Sequence, residues 1–321
     1  MSAEAPQRAP LAGAALEKLR IGPAGWSYDD WKGKVYPIGA GRKFDPLEYL
    51  SRYFDVVEIN TSFYQPVPPQ WTKAWLQRVE GNPRFGFTAK LWRRFTHERE
   101  SAPSREDVAQ VRSGMDALAE EGKLLALLVQ FPWSFRNGPE EREWLEKVAT
   151  TFRDYPLVLE VRHASWDDPD ALAWLTERGI ALATIDQPQF DESLDTAERR
   201  TAPLVYVRLH GRNYENWWAE NRESHERYDY LYPPEELKPW ADRVREAAED
   251  PTVLAVIAIT NNHYQGQAAV NALQLKSWAT GRRVPVPEPL RESFPDMMEP
   301  IAEGASEETP PPQTELFPDR T

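Results

Sequence analysis

Short apolar runs recur along this chain and are separated by longer stretches with helical periodicity. Eight of these runs are bounded by turn-forming residues and have the length and composition of buried strands. They lie at 19–27, 55–60, 85–91, 124–131, 157–163, 180–186, 204–210 and 253–261. Because parallel strands covered by helices are apolar nearly throughout, this alternation predicts an α/β protein whose parallel sheet closes into a (β/α)8 TIM barrel.

The stretches between the predicted strands carry helix signals. Asp45 is predicted to be an N-cap, with Pro46 in the first helical position and Glu48 completing a capping box. Further helices are predicted at 69–79, 104–121, 139–153, 168–178, 234–248 and 266–280. The unit after the sixth strand is too irregular for a helix, and the loop 211–232 is long for a βα connection.

Length and composition indicate one domain with tails. We predict a flexible N-terminal tail at 1–18, a single barrel domain at 19–281 and a Pro/Glu-rich disordered tail at 282–321. The chain has no cysteine, which excludes disulfides and thiolate metal sites and fits a reducing cytoplasm. We see no signal peptide or membrane span and therefore expect a soluble, cytoplasmic protein.

The fifth predicted strand, LVLEVRH, carries charges that a buried strand should exclude, since an unpaired buried charge costs on the order of several kcal/mol. Side chains alternate along a strand, so Glu160 and Arg162 share the face that points into the barrel. The same parity places further polar groups on that face near the strand ends: Glu58, Asn60, Thr88, Lys90, Gln130, Thr184, Asp186, Tyr206, Arg208 and His210. Enzymes of this fold build their active sites at this end.

The balance of charges favours an enzyme that acts on an anionic substrate bearing phosphate or carboxylate. Three acidic and three basic side chains can pair, unlike a carboxylate cage for a hard cation. The predicted catalytic residues are Glu160, Asp186, His210 and Glu58. The predicted substrate-binding residues are Asn60, Lys90, His97, Gln130, Arg162, His163, Arg208 and Asn261. Carboxylate and histidine acid–base chemistry would suit a hydrolase, isomerase or lyase. The alternative is an ion-pair network that only fills the barrel.

No cofactor or metal ion is predicted. Four histidines, His97, His163, His210 and His263, fall at or just after strand ends, and three imidazoles with a carboxylate are a zinc ligand set. A divalent metal site is therefore an alternative. Against it, His163 has the parity of the helix-facing side chains, and no HxH or HxxxH spacing occurs.

A family resemblance rests on seven motifs. In chain order they are GWSYDDWKGKVYP, VVEINTSFYQP, FTAKLWRRFTH, LLVQFPWSF, LEVRHASW, VYVRLHGR and ITNNHYQGQAAVNA. Over about residues 20–280 they resemble the YecE-like family, also called domain of unknown function 72. The resemblance implies a (β/α)8 barrel and no established reaction. The family's recurring polar residues would fall on Glu58, Asn60, Lys90, His97, Gln130, Glu160, Arg162, His163, Asp186, Arg208, His210, Gly211 and Asn261.

An alternative function is that of a DNA-metabolism accessory protein. The net charge of −13 argues against a surface that attracts nucleic acid as a whole, but the basic stretch KLWRRFTHER is compatible with a local patch. Arg93, Arg94 and the aromatic loop 216–218 would then bind the strand. Gln313, Leu316 and Phe317 in the tail resemble the QxxLF peptide with which bacterial repair proteins dock on the DNA sliding clamp.

Overall fold

A computed structural model describes residues 4–6, 8–215 and 228–304 of the 321. Strands and helices alternate through most of this length. The strands are β1 (Leu19–Pro23), β2 (Val56–Ile59), β3 (Gly86–Lys90), β4 (Leu124–Gln130), β5 (Leu157–Glu160), β6 (Ala181–Leu182), β7 (Thr184–Asp186), β8 (Leu204–Leu209) and β9 (Ala255–Thr260). The helices are α1 (Gly13–Lys18), α2 (Pro46–Ser51), α3 (Thr61–Tyr64), α4 (Pro69–Arg78), α5 (Arg105–Glu120), α6 (Pro139–Thr151), α7 (Pro169–Glu177), α8 (Pro234–Glu249), α9 (Gln267–Thr280), α10 (Glu288–Ser293) and α11 (Pro295–Met298).

The strands form two parallel sheets, with the orders β1-β9-β8-β7 and β2-β3-β4-β5-β6. The sixth predicted strand is divided at Ala183, so that β6 belongs to one sheet and β7 to the other. Between β1 and β2, Ala24 pairs with Glu58 in an isolated parallel bridge, and the backbone N–H of Gly25 donates to the Glu58 carbonyl at 2.9 Å. The predicted α/β class and parallel pairing are therefore confirmed.

Alternation along the strands separates two apolar cores. The larger core lies between the sheets and the helices, and the smaller one fills the interior face of the strands. The interior residues are Ala24, Val56, Ala126, Leu128, Val158, Ala181, Ala183, Ile185, Tyr206, Ile257 and Ile259. Val56 and Val158 lie two residues before Glu58 and Glu160, so these carboxylates project to the same interior, as predicted.

The predicted parity of the sixth strand is wrong. Ala181, Ala183 and Ile185 occupy the interior, whereas Leu182 packs in the outer core. The strand is divided at Ala183, so the alternation read from the sequence did not fix which of its residues face the interior. Asp186 therefore does not share the face of Glu58 and Glu160.

The local helix signals are mostly confirmed. The Asp45 carboxylate accepts from the backbone N–H groups of Leu47 and Glu48 at 2.9 and 3.1 Å and caps α2. The predicted capping box is wrong, because the Glu48 carboxylate binds Arg52 at 2.8 Å instead of folding back to the cap. Residues 187–203 contain no helix or strand, as predicted for the irregular unit. None of the described helices is long and apolar enough to cross a membrane.

The predicted tail boundaries are wrong at both ends. Residues 8–18 include helix α1, and Leu11 is buried, with its backbone N–H donating to the Thr280 carbonyl at 2.8 Å. At the other end, Leu290 of α10, Met298 of α11 and Ile301 just after α11 are completely buried. The high Pro and Glu content of this region obscured apolar side chains that belong to the outer core. Residues 305–321 lie outside the described part.

The packing of α10 predicts a large effect of Leu290→Ala. Removing this fully buried side chain should lower the free energy of unfolding by about 3 kcal/mol, measured by urea denaturation. The matched control is Leu254→Ala, because Leu254 is 72% exposed and its loss should change stability by less than about 0.5 kcal/mol. Equal effects of the two substitutions would show that α10 is not part of the folded domain.

Candidate active site at the carboxyl ends of the strands

Arg208 is the centre of the polar groups in the interior. Its side chain projects from β8 and is completely buried. One guanidinium nitrogen, Nη2, lies 2.6 Å from Glu58 Oε1, and the other, Nη1, lies 2.5 Å from Glu160 Oε2. Both carboxylates are also completely buried. We call these three residues the Arg208 clamp; it pairs one sheet with the other, since β2 and β5 belong to the second sheet.

The other carboxylate oxygens of the clamp also have donors. Glu58 Oε2 accepts from the Tyr206 hydroxyl at 3.0 Å. Glu160 Oε1 accepts from Gln130 Nε2 at 2.6 Å and from Arg162 at 3.4 Å. These contacts satisfy charges that would otherwise be costly to bury, and they explain the polar residues on the strands.

Glu160 is held in its ionised form. Burial alone would raise its pKa, but the nearby guanidinium groups of Arg208 and Arg162 outweigh burial and hold the pKa of this carboxyl well below its usual range. A carboxylate with a low pKa and occupied lone pairs is a weak proton acceptor. Glu160 is therefore better placed to orient Arg208 than to act as the predicted general base.

Lys90 and Arg162 form a layer of cations above the clamp. Their side chains are 14% and 19% exposed, against 0% for both carboxylates. Lys90 Nζ lies 3.7 Å from Glu58 Oε1, beyond hydrogen-bond distance. Burial and, next, the positive charge of Arg208 lower the pKa of Lys90 to about 8. Lys90 therefore changes charge closer to neutral pH than an ordinary lysine does.

Two of the predicted histidines lie close to this layer. His210 is buried, with Nδ1 3.0 Å from the Asn261 side chain and Nε2 3.3 Å from Arg208. Burial and Arg208 lower its pKa well below the usual value, so the ring is neutral. Burial, followed by the charges of Arg93, Arg162 and Arg99, lowers the pKa of His97 to about 4. Burial is the main cause for both rings, and the neighbouring guanidinium groups act in the same direction.

Aromatic side chains lie next to Asn60. The Asn60 amide lies 3.4 Å from the Tyr28 hydroxyl, and the Tyr28 ring stacks on His263 with 4.6 Å between centroids. Tyr228 lies 5.2 Å from His263 and 6.4 Å from His210 by the same measure. We did not predict Tyr28 or Tyr228 as site residues, because both lie in loops where strand parity gives no signal.

Two predicted site residues are not brought to the clamp. Asp186 accepts from the Tyr232 hydroxyl at 2.6 Å and from Arg212 Nε at 3.0 Å, and so it anchors the segment that follows β8. His163 accepts from the backbone N–H of Ser165 at 3.0 Å, and its Nε2 lies 3.5 Å from Glu192. The predicted placement of Asp186 on the same interior face as Glu160 is wrong because the parity of its strand is reversed. His163 instead contacts Trp133 and Glu192, which lie in the loops that follow β4 and β7.

In the basic stretch after β3, Arg93 and Arg94 bind other groups of the same chain. Arg94 donates to the carbonyls of Glu98 and Ser101 at 2.8 and 3.0 Å and so holds the following turn. Arg93 pairs with Glu98 at 2.8 Å. The predicted aromatic loop 216–218 and the tail residues Gln313, Leu316 and Phe317 lie outside the described residues.

The three-imidazole alternative is not seen among the described residues. Within residues 4–6, 8–215 and 228–304, no three His, Asp or Glu side chains come together as ligands for a metal ion.

Comparisons with known proteins agree on one family. A family profile described as "Protein of unknown function DUF72" matches residues 20–293. The UPF0759 protein YunF of Bacillus subtilis is 29% identical, over 80% of this chain and 93% of its own. A DUF72 family protein of Thermotoga maritima is 34% identical with a TM-score of 0.69, over 80% of this chain and 97% of its own. One from Enterococcus faecalis is 28% identical with a TM-score of 0.70, over 81% and 95%.

The clamp predicts a large stability loss in Arg208→Met. Removing the guanidinium leaves two buried carboxylates without their partner and should lower the free energy of unfolding by about 3–5 kcal/mol in urea denaturation. Arg52→Met is the matched control: Arg52 also pairs with a glutamate, Glu48, but is 62% exposed, so its loss should cost about 1 kcal/mol at most.

Removing one of the two unpaired carboxylate charges should recover part of the stability that Arg208→Met loses. Adding Glu160→Gln to Arg208→Met removes one of the stranded charges, so the double variant should be more stable than Arg208→Met alone. A double variant whose two effects simply add would contradict the coupling between these residues.

Proposed function

The chain belongs to the DUF72 family, which has no assigned function, and we propose that it is an enzyme acting on a small anionic substrate that binds above the Arg208 clamp. The observation that carries this proposal is the order of the charged side chains from the buried interior to the carboxyl ends of the strands. The carboxylates are buried at the bottom and engaged by Arg208, whereas the half-buried Lys90 and Arg162 lie above them. A substrate entering from the strand ends would therefore meet cations first.

A phosphate or carboxylate group would be stabilised by these charges. In a partly dry site each charge-assisted hydrogen bond is stronger than in water. Arg162 and Arg99 also act on the His97 ring, although burial is the main cause of its lowered pKa. The Asn60 amide and the stacked Tyr28 and His263 rings would contact the uncharged part of the substrate.

The proton-transfer step would use Lys90 in preference to the carboxylates. An acid–base group works best when its pKa lies near the working pH, and the pKa of Lys90 is lowered to about 8. Glu58 and Glu160 would keep Arg208 and Lys90 in place. The reaction class stays that of a hydrolase, isomerase or lyase, without an assigned cofactor.

We also propose that the two sheets close into one (β/α)8 barrel. The bridge between Ala24 and Glu58 supports contact at one junction, together with the 3.3 Å hydrogen bond from the Asp55 N–H to the Ile21 carbonyl. At the other junction, β6 and β7 are separated only by Ala183, whose N–H donates to the Leu159 carbonyl at 2.9 Å. Closure would surround the clamp with strands and exclude water from it.

The DNA-associated function has less support. Arg94 is occupied by backbone carbonyls and Arg93 by Glu98, so two of the predicted phosphate contacts are already used within the chain. Docking on the sliding clamp through Gln313, Leu316 and Phe317 stays a prediction, as does the cytoplasmic location.

Anion binding is tested by titrating inorganic phosphate or acetate into the wild type and into the variant Lys90→Met. Calorimetric titration should show binding to the wild type and a loss of affinity of roughly tenfold or more in Lys90→Met, because one charge-assisted contact is removed. The matched control is Lys276→Met. Lys276 is similarly exposed, at 18%, but it pairs with Asp55 at 3.1 Å, away from the clamp.

Equal affinity of the wild type and Lys90→Met for both anions would contradict the proposed site. Turnover is then followed by mass spectrometry on mixtures of phosphate- and carboxylate-bearing metabolites. The wild type and Lys276→Met should convert the same compound, and Lys90→Met should not.

A further inference from the structure

Lys90 has features that anion binding alone does not require. It is the last residue of β3, at the carboxyl end of the strand, and its side chain is 14% exposed. Among the described residues, Nζ has a charged neighbour at 3.7 Å but no hydrogen-bond acceptor within reach. A surface anchor for phosphate would ordinarily be more exposed and fully protonated.

The residues around Lys90 keep it from forming a close ion pair. Glu58, from β2, is the nearest acid, but its oxygens are engaged by Arg208 and Tyr206 at 2.6 and 3.0 Å. Glu160, from β5, is engaged by Arg208 and Gln130. Two cations, Arg208 from β8 and Arg162 after β5, act on Lys90 from the same region.

This environment destabilises the ammonium, so a larger fraction of Lys90 is the neutral amine near neutral pH than for an ordinary lysine. Burial removes water from the ammonium, the two guanidinium groups repel it, and the attraction of the two engaged carboxylates does not compensate, so the pKa falls to about 8. A neutral lysine amine in a partly dry pocket is a nucleophile towards carbonyl carbon. The nearby positive charge would also attract an acidic group on the same molecule.

We propose that Lys90 forms an imine with the aldehyde or ketone carbon of a small compound that also carries a carboxylate or phosphate. This inference rests on the proposed function for the anionic group and adds the carbonyl as the reacting group.

The step is balanced without an oxidant or cofactor. The lone pair of the neutral amine attacks the carbonyl carbon and forms a C–N bond, which gives a carbinolamine after proton transfer to oxygen. The C–O bond then breaks, and the two amine protons leave with that oxygen as water. The product is a C=N bond between Lys90 and the substrate carbon, which hydride reduces to a stable secondary amine.

Reductive trapping tests this step on the full chain. Wild-type protein is incubated with pyruvate, dihydroxyacetone phosphate or uncharged propanal, each with cyanoborohydride near neutral pH, and the modified lysines are located by peptide mass spectrometry. We expect the two anionic compounds to label Lys90 at least about tenfold faster than any other lysine, since each unit of lowered pKa raises the neutral fraction about tenfold.

Two variants show whether a loss of labelling comes from the missing amine or from misfolding. Lys90→Arg keeps the positive charge and should remove the fast label, whereas Lys276→Met should leave it unchanged. Circular dichroism and thermal unfolding check that Lys90→Arg is folded. If that variant does not fold, labelling of the wild type still decides, because the adduct is assigned to a residue by its peptide. Labelling spread evenly over the lysines would overturn the proposal.

The control compounds distinguish this inference from the proposed function. Phosphate binding that depends on Lys90, without a Lys90 adduct, would overturn the imine and leave the anion site intact. A fast Lys90 adduct with propanal and no preference for the anionic compounds would support the nucleophile but overturn the anionic substrate class. Selective labelling by pyruvate or dihydroxyacetone phosphate supports both.

Discussion

The contact of Arg208 with two carboxylates determines the arrangement of the rest of the site. Glu58 and Glu160 come from β2 and β5 of one sheet, and Arg208 comes from β8 of the other, so the clamp joins the two sheets through the interior. Each of the three charges would be costly to bury alone, but together they satisfy one another. The clamp therefore couples the stability of the interior to the geometry of its polar end.

The layers above and below the clamp follow from this contact. Below it, small and branched apolar side chains such as Ala126 and Val158 fill the interior, and Tyr206 links Glu58 to Thr88 by hydrogen bonds of 3.0 Å each. Above it, Lys90 is close to Glu58 without a hydrogen bond, because Arg208 already occupies that carboxylate. The structural ion pair thus leaves Lys90 without a close ion pair of its own.

Strand parity predicted much of this arrangement from sequence alone. It placed Glu58, Lys90, Gln130, Glu160 and Arg208 on one face, and the structure brings these residues together, because side chains alternate reliably along unbroken buried strands. Parity failed at Asp186, where the strand is divided between the two sheets.

Other features had no comparable signal. Tyr28 and Tyr228 lie in loops whose path is set by tertiary contacts. Leu290 and Met298 pack in a segment whose average composition is polar, so composition concealed single buried positions. The lowered pKa of Lys90 depends on the pairing of Glu58 and Glu160 with Arg208. No sequence pattern predicts that pairing.

The most direct test of this account is an NMR titration of the Lys90 side chain in isotope-labelled protein. If Arg208 engages both carboxylates, Lys90 is left without a close ion pair and should titrate near pH 8. A pKa at or above the ordinary lysine value of 10.5 would show that Glu58 pairs with Lys90 instead, and the account of the site would be wrong.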